Sequence, residues 1–222
     1  MHNPRPLRWM MLPCAVALLL CAAAATPTHA QTAAVDSGWI LSRLAQPAPM
    51  RTSFVEVRSS RLLKNPLRLS GEYRRPDAQT LVRDVRAPYI ETTTIRGDEA
   101  SIARPSRPVR NFAISRAPQL AGMQAGFGAL LSGDAKAIGR DFDLTTSGTR
   151  QQWQMVMTPR QATLKQHVRD ITLYGRGSEL HCIETRAIRG EEVQRTLLAS
   201  AARSVTAATS GTQLVALCQR GG

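Results

Sequence analysis

The fold is decided by a stretch of eleven residues, Leu67-Arg68-Leu69-Ser70-Gly71-Glu72-Tyr73-Arg74-Arg75-Pro76-Asp77. Apolar or small residues occupy every second position from Leu67 to Tyr73, with charged or polar residues between them. This period of two is typical of a β-strand that buries one face. Pro76 and Asp77 then indicate a turn, because proline fixes its own backbone and aspartate accepts hydrogen bonds from the residues that follow. The stretch therefore predicts a strand that ends in a tight turn.

The same alternation extends in both directions along the chain. Ten strands are predicted, at 52–59, 67–73, 80–86, 89–96, 100–103, 142–148, 151–158, 167–174, 180–188 and 192–198. Trp153, Met155 and Met157 share one face of their strand, because successive side chains alternate. No strand is followed by a helix long enough for a βαβ unit. The pattern predicts one large curved antiparallel sheet with one or two helices packed against it.

Two segments have helical periodicity instead. Asp36 or Ser37 can begin a short helix whose apolar face includes Ile40 and Leu44. A second helix is predicted at 117–131, with apolar positions Leu120, Met123, Phe127, Leu130 and Leu131 and glycines Gly122, Gly126 and Gly128. Each glycine costs about 1 kcal/mol relative to alanine. This second helix must therefore be stabilised by packing, and it is either a fixed core helix or a mobile lid.

The composition is that of a globular protein with a strong excess of positive charge. The 222 residues include 29 Lys or Arg and 16 Asp or Glu, for a formal net charge of +13, and 43% are hydrophobic. That apolar share excludes a disordered chain, and the length fits one domain with a substantial core. Nucleic acid is not an expected partner, because the arginines are scattered and no strand interleaves them with stacking aromatic rings.

Residues 1–30 have the layout of a secretory signal peptide. Two arginines precede an apolar run, and the segment ends in small residues at Ala30. The mature chain is expected to begin near Gln31. The alternative is a lipoprotein signal that ends at Cys21, although the leucines before that cysteine do not suit lipoprotein processing. Export predicts an oxidising compartment, the periplasm.

Two of the four cysteines lie in the predicted signal peptide, which leaves Cys182 and Cys218 in the mature chain. In an exported protein such a pair favours a disulfide. Two separate thiols are the alternative, because the sequence does not give the distance between them. Residues 31–200 are expected to form the domain, and residues 201–222 a C-terminal tail or a final strand.

The mature sequence offers few groups for catalysis. Its histidines are His167 and His181. His181 and Cys182 are adjacent on a predicted strand and point to opposite faces, so they are not expected to form a nucleophilic pair. An exported lipid hydrolase would need a catalytic pair that the pattern does not supply. A metal site needs three or four clustered ligands, which the spacing does not provide either. We therefore expect no enzyme, no metal site and no cofactor.

Several of these features together resemble one known family. They are the signal peptide, the short helix, the strand with Phe54-Val55-Glu56, and the run Leu69-Ser70-Gly71-Glu72-Tyr73-Arg74-Arg75-Pro76. The closing strands at 171–184 and 190–198 add to the likeness. Over about residues 36–200 the chain is similar to the periplasmic outer-membrane lipoprotein carriers, LolA and its relatives.

The resemblance implies an incomplete β-barrel, a curved antiparallel sheet whose mouth is closed by short helices. It implies a monomeric carrier that takes acyl chains of lipoproteins into an apolar cavity and moves them from an inner-membrane exporter to an outer-membrane acceptor. Arg75, followed by Pro76, matches the family arginine that helps to hold the lid shut. The expected lid and cavity residues are Leu120, Met123, Phe127, Leu130, Trp153, Met155 and Met157.

Two alternatives remain open within that family. The cargo is either a lipoprotein or another acylated or polyene-like lipid. The second alternative is a non-catalytic sensor or binding protein that uses the same fold with a filled core. An apolar cavity between the sheet and residues 117–131 would favour the carrier.

Overall fold

The alternating segments form β-strands in the computed structural model, which describes residues 34–58, 65–116, 135–188 and 193–222. In this part of the chain the strands are β1 (Met50–Arg58), β2 (Leu67–Arg75), β3 (Thr80–Ala87), β4 (Glu91–Arg96), β5 (Glu99–Ala103), β6 (Arg110–Ala113), β7 (Phe142–Thr149), β8 (Gln152–Pro159), β9 (Val168–Arg176), β10 (Glu179–Ala187) and β11 (Val193–Leu198). All ten predicted strands are confirmed. The sequence pattern missed β6.

The helices of the described residues are α1 (Ser37–Leu44), α2 (Ala135–Asp141), α3 (Ala162–Lys165), α4 (Ala199–Arg203) and α5 (Gly211–Arg220). The prediction of α1 is confirmed, with Asp36 as the N-cap that accepts a hydrogen bond from the backbone N of Trp39 at 2.8 Å. The predicted helix at 117–131 and the predicted signal peptide at 1–30 lie outside the described residues.

One expectation for the C-terminus is wrong. Where the sequence suggested a tail or a final strand, Gly211–Arg220 form a helix. Its start is fixed by a capping box, in which Ser210 and Gln213 each accept a hydrogen bond from the other's backbone N. The apolar residues Leu214 and Cys218 are four positions apart and both buried, which is the spacing of one helix face.

The eleven strands form one antiparallel sheet in the order β6-β5-β4-β3-β2-β1-β11-β10-β9-β8-β7. The chain starts at the centre, runs outward to β6, resumes at the other edge with β7 and returns inward to β11. The two halves are joined by β1 and β11, where Phe54 pairs with Leu198 and Arg58 with Gln194. No pairing between β6 and β7 is found in the described part of the chain, so the predicted single open sheet is confirmed.

One face of the sheet carries the apolar core. On the β1–β5 half a buried cluster includes Phe54, Leu69 and Tyr73, and on the β7–β9 half a second cluster includes Met155 and Leu173. Leu180 and Ile183 of β10 pack against both clusters. We call this the inner face. Its two clusters are therefore continuous across the centre of the sheet.

The close approach of β2 and β3 on this face depends on a glycine. A Cβ at Gly71 would lie 1.8 Å from the carbonyl oxygen of Asp84. The pairing of β2 with β3 also shifts register between Ser70 and Gly71. Any larger residue would push the two strands apart, which gives a physical reason for the glycine in the stretch that predicted the fold.

The opposite, outer face is covered by the C-terminal helices. Ala201 and Ala202 of α4 and Leu214 of α5 are buried in a third cluster with Val55 and Leu197 of the central strands. A disulfide joins Cys182 of β10 to Cys218 of α5. The C-terminal segment is thus packed on the sheet and covalently attached to it.

Candidate functional site

Three sequence-predicted cavity residues lie side by side on the inner face. Trp153, Met155 and Met157 of β8 alternate with more exposed neighbours and are 2%, 0% and 0% exposed. Trp153 is positioned by Gly175 of β9, because a Cβ at that glycine would lie 2.0 Å from the indole ring. The indole Nε1 donates to the carbonyl oxygen of Gly177 at 3.1 Å. We call these three residues the β8 wall.

The β8 wall is covered by α1. Ile40 and Leu41 are fully buried and Leu44 is 4% exposed, in the same cluster as the β8 wall. The other side of this helix is solvent-exposed at Ser42 and Arg43. The cover is eight residues long, and its predicted apolar face is the part that meets the sheet.

Polar contacts secure the chain at both ends of α1. Before the helix, Thr146 of β7 donates to the carbonyl oxygen of Val35 at 3.0 Å, and Ala34 forms an isolated β-bridge with Thr149. After the helix, Arg75 Nη1 donates to the carbonyl oxygen of Gln46 at 3.0 Å. Between these points α1 packs on the sheet through its apolar side chains Ile40, Leu41 and Leu44.

Arg75 is buried although it is charged and ends a strand, with 8% of its surface exposed. Besides Gln46, it donates from Nη2 to the carbonyl oxygen of Ala78 at 3.4 Å, within the turn that follows β2. Pro76 is exposed in that turn. The guanidinium therefore links the end of β2 to the segment that follows α1, on the same side of the sheet.

The remaining predicted lid residues, Leu120, Met123, Phe127 and Leu130, lie outside the described residues. The adjoining element, α2, is described from 135 onward, and its Ile138 is buried in the same cluster as α1 and the β8 wall. The chain thus returns from that segment onto the inner face. Phe142, at the start of β7, is 1% exposed in the same cluster.

The inner face also holds a buried charged network that the sequence did not predict. Arg83 of β3 lies between Glu56 of β1 and Glu91 of β4, with Nη2 to Oε2 of Glu56 at 3.1 Å and Nη1 to Oε1 of Glu91 at 3.9 Å. The three residues are 5%, 1% and 7% exposed. Two partly exposed arginines complete the chain of charges, Arg58 on Glu56 and Arg104 on Glu91.

This network is held by aromatic neighbours. The Arg83 guanidinium carbon lies 5.0 Å from the ring centroid of Phe54, and Phe54 is 4.7 Å from the ring of Tyr73. Burial alone would lower the pKa of Arg83, but Glu56 and Tyr73 raise it above its ordinary value, so the cation is retained. Burial, with the charge of Glu56, raises the pKa of Tyr73 and keeps the phenol neutral. The β1–β5 half of the inner face therefore holds buried charge within its apolar cluster, where Arg83 lies between Leu81 and Val85.

A signal for this network was present in the sequence. Glu56 lies two positions after Phe54, and Arg83 two after Leu81, so each occupies an inward position of its strand. Which charges meet, however, depends on the register between strands β1 to β4. That register follows from pairing across the sheet, which alternation within one strand does not specify.

Within the described residues, no helix is long and apolar enough to cross a membrane. The same part of the chain contains no group of three or more His, Cys, Asp or Glu side chains that could hold a metal ion. One buried side-chain nitrogen there, Nε2 of His181, has no hydrogen-bond partner. His181 adjoins the disulfide, on β10 beneath the end of α5, and lies away from the β8 wall.

Comparison with protein families gives one match to the whole of this unit. Residues 29–221 match a family described as outer membrane lipoprotein carrier protein LolA-like. The matched region begins before α1 and ends after α5, so it includes every strand described above. Comparison with curated proteins gives no significant match.

Comparison with solved structures gives a more distant likeness. A LolA superfamily protein from Nitrosomonas europaea matches with a TM-score of 0.43 and 9% sequence identity, covering 74% of this chain and 92% of that one. Because that TM-score is low, the fold assignment rests on the sheet topology and not on this likeness.

Proposed function

The chain belongs to the LolA-like family of outer membrane lipoprotein carrier proteins, and from this premise we propose that it is a carrier for the acyl chains of a lipoprotein or another lipid. The observation that supports the proposal is the cover of the inner face. Among the described residues, the eight-residue helix α1 packs beside α2 on the apolar β8 wall, and its polar attachments to the sheet lie at its two ends. Such a cover can be displaced without unfolding the sheet.

The free energy gained when α1 packs on the β8 wall is comparable to that gained when an acyl chain is buried there. Burying Ile40, Leu41 and Leu44 stabilises the covered state by about 5–9 kcal/mol, at roughly 1.5–3 kcal/mol per side chain. An acyl chain of a dozen or more methylenes gains on the order of 10 kcal/mol when it is buried, at about 0.8 kcal/mol each. A bound chain can therefore replace the apolar contacts of α1 on the β8 wall. Because the two amounts are close, release remains possible as well.

In this proposal Arg75 of β2 keeps α1 packed on the β8 wall. Its hydrogen bond to the carbonyl oxygen of Gln46 joins β2 to the segment that follows α1. Pro76 fixes the start of the turn in which Ala78 accepts the second hydrogen bond. The lid residues Leu120, Met123, Phe127 and Leu130 are proposed to complete the cavity with the β8 wall.

The proposal includes a place and partners. The arginine-flanked apolar segment at 1–30 supports export to the periplasm, where the chain would act as a monomer. It would receive lipid from an inner-membrane exporter and deliver it to an outer-membrane acceptor. The cargo is an acyl chain in either case, and whether a lipoprotein or another lipid carries it is a separate question. Catalysis has no part in the proposal.

One observation favours the second candidate, a sensor or binding protein with a filled core. Trp153, Met155 and Met157 are already buried against α1. If α1 never leaves, the inner face is ordinary core and takes up no lipid. The two candidates differ in what happens when the cover is weakened.

The test weakens the packing of α1 on the β8 wall by truncating one of its buried side chains. In Leu41→Ala a fully buried side chain of α1 is truncated, and Ser42→Ala is the matched control on the exposed side of the same helix. Saturable binding of a fluorescent fatty acid is measured, together with the lipids that copurify. A carrier binds the probe, and Leu41→Ala binds it at least about tenfold more tightly because less self-burial has to be displaced. A filled core instead gives no saturable binding in either variant and only a loss of stability in Leu41→Ala.

A further inference from the structure

An open cleft of about 680 Å³ lies where two hairpins meet the start of α1. Three arginines line it: Arg43 from α1, Arg150 from the β7–β8 turn and Arg176 from the end of β9. Trp39 and the side chain of Gln151 also face the cleft. All three arginines are solvent-exposed. The cleft lies beside the β8 wall and is lined in part by α1, but the function proposed above gives it no role.

The three arginines are held by neutral groups. The guanidinium carbons of Arg43 and Arg150 lie 5.8 Å and 5.3 Å from the centroid of the Trp39 ring. Arg176 Nη2 donates to the carbonyl oxygen of Arg220 at 3.2 Å. A ring face and a carbonyl oxygen orient a guanidinium without cancelling its charge. Among the described residues, none of these three arginines forms a salt bridge.

Several arginines elsewhere on the sheet are paired with carboxylates. Arg74 binds Asp84, Arg186 binds Asp170 and Arg195 binds Glu184, with nitrogen–oxygen distances of 2.7 to 2.8 Å. The cleft differs from these pairs, because its three arginines have no carboxylate partner in the part of the chain that the structure describes.

The carboxylates nearest the cleft in sequence are engaged in other contacts. Asp36 accepts the backbone N–H of Trp39 as the cap of α1, at 2.8 Å. Glu179, which is the cross-strand partner of Arg176, accepts from both the backbone N and the hydroxyl of Ser200. Neither carboxylate therefore supplies a salt bridge to the cleft arginines.

Hydrogen bonds join the two hairpin turns that line the cleft. The backbone N of Gly177 donates to the carbonyl oxygen of Arg150 at 2.9 Å, which ties the two hairpin turns together. The carbonyl oxygen of the same glycine accepts from the buried indole of Trp153 at 3.1 Å. Arg150 and Arg176 thus project from turns that are anchored to each other and to the core. Donors arranged before binding lose less entropy when a ligand arrives.

We propose that this cleft binds a phosphoryl group. A phosphate presents three or four acceptor oxygens and more than one negative charge, which suits several guanidinium forks that converge on one space. Free phosphate and a phosphomonoester headgroup, as in phosphatidic acid, share this chemistry. The site does not depend on the acyl-binding proposal, so either can fail without the other.

The first arm of the test uses inorganic phosphate and the full chain, at low ionic strength in a buffer without other multivalent anions. Calorimetric titration should show saturable binding, and Arg150→Gln and Arg43→Gln should each weaken it about tenfold or more. Arg110→Gln is the matched control, because it removes the same charge from an exposed arginine on the opposite edge strand β6 that forms no salt bridge with another described residue. The control should stay within about twofold of the original affinity. All three changes are at exposed positions, and an unchanged melting temperature verifies the fold.

The second arm separates the two sources of the phosphoryl group. Sedimentation is measured with vesicles of phosphatidic acid in phosphatidylcholine, which present a phosphomonoester, and with vesicles of phosphatidylcholine alone, whose phosphate is a diester. A lipid headgroup is supported if the chain binds to the anionic vesicles, if inorganic phosphate displaces it from them, and if Arg150→Gln weakens this binding. Phosphate binding without vesicle binding supports free phosphate. The proposal is overturned if neither probe binds saturably, or if Arg110→Gln weakens binding as much as Arg150→Gln does.

Discussion

Arg75 offers the sharpest test of how the inner face is covered. Arg75→Met removes the guanidinium and keeps an apolar stem of similar length. The change deletes the hydrogen bond to the carbonyl oxygen of Gln46, which is 3.0 Å long and made by a group that is 8% exposed. A hydrogen bond with a charged partner contributes about 1.5–3 kcal/mol. Detachment of α1 should therefore become about ten- to a hundredfold more frequent.

The assay is hydrogen exchange at the backbone amides of α1, read by mass spectrometry or NMR. The amide of Ile40 bonds to the carbonyl oxygen of Asp36, and the amide of Ala45 bonds to that of Leu41, so both report directly on the helix. In Arg75→Met, their exchange should accelerate by the same ten- to a hundredfold, about one decade per 1.4 kcal/mol. Amides in the central strands should keep their exchange rates.

Two controls isolate the contact with α1. Arg74→Met changes the neighbouring arginine, which is paired with Asp84 and is 40% exposed, and should leave α1 unchanged. Asp77→Ala loosens the turn after β2, because Asp77 accepts the backbone N–H groups of Gln79 and Thr80 at 2.8 Å, but it does not touch α1. If α1 exchanges no faster in Arg75→Met than in these two variants, the reasoning about Arg75 is refuted.

Three further predictions concern stability. Met157→Ala should lower the free energy of unfolding in urea by about 2–5 kcal/mol, because the side chain is fully buried, and a loss below about 0.5 kcal/mol would place it outside the core. Replacing Cys182 and Cys218 by serine should lower the free energy of unfolding by about 4 kcal/mol, because the disulfide closes a loop with a sequence separation of 36 residues. The intact mass of the original chain should also rise by two hydrogens on reduction, and a chain without that shift contradicts the disulfide. Burial lowers the pKa of His181 below its ordinary value of 6.5, so the stability that its neutral form gives is present above pH 6.5 and is lost as the pH falls through the lowered pKa. When the pH is lowered from 7.5 to 5, the urea concentration at the unfolding midpoint should decrease, and it should decrease less in His181→Asn. An equal decrease in both chains would contradict the lowered pKa of His181.

Strand alternation predicted most of the sheet because its cause is local. β8 has Trp153, Met155 and Met157 inward and more exposed residues between them, as the period of two requires. β6 was missed because it is four residues long and lies at an edge, with only Phe112 partly buried. An edge strand with little burial leaves little periodicity to detect.

The pairing of β1 with β11 was beyond the sequence pattern. It joins Val55 to Leu197 across most of the chain, and nothing in either strand's own alternation names its partner. The charged network has the same origin, since Glu56 and Arg83 meet only after strands β1, β2 and β3 are in register. Local patterns predict which face a residue lies on, whereas neighbours across strands follow from the assembled sheet.

The C-terminal helix shows a different limit. Residues 199–211 are rich in small and polar side chains, which hid α4. The apolar residues of α5 are consecutive, from Leu214 to Cys218, and a short continuous apolar run does not distinguish a helix from a strand. The Ser210-to-Gln213 spacing was the usable signal, because a serine followed three residues later by glutamine is a capping box. The Cys218 disulfide and burial on the outer face then stabilise a helix of modest intrinsic propensity.

The central claim is that an acyl chain takes the place of α1 on the β8 wall. The most direct measurement is methyl NMR of methionine-labelled chain with a fatty acid that carries a nitroxide on its tail. If lipid enters the inner face, the methyl signals of the fully buried Met155 and Met157 should broaden strongly and saturably, and unlabelled fatty acid should relieve the broadening. If these two signals stay sharp at saturating fatty acid while surface resonances broaden, lipid does not enter the inner face and the account is contradicted.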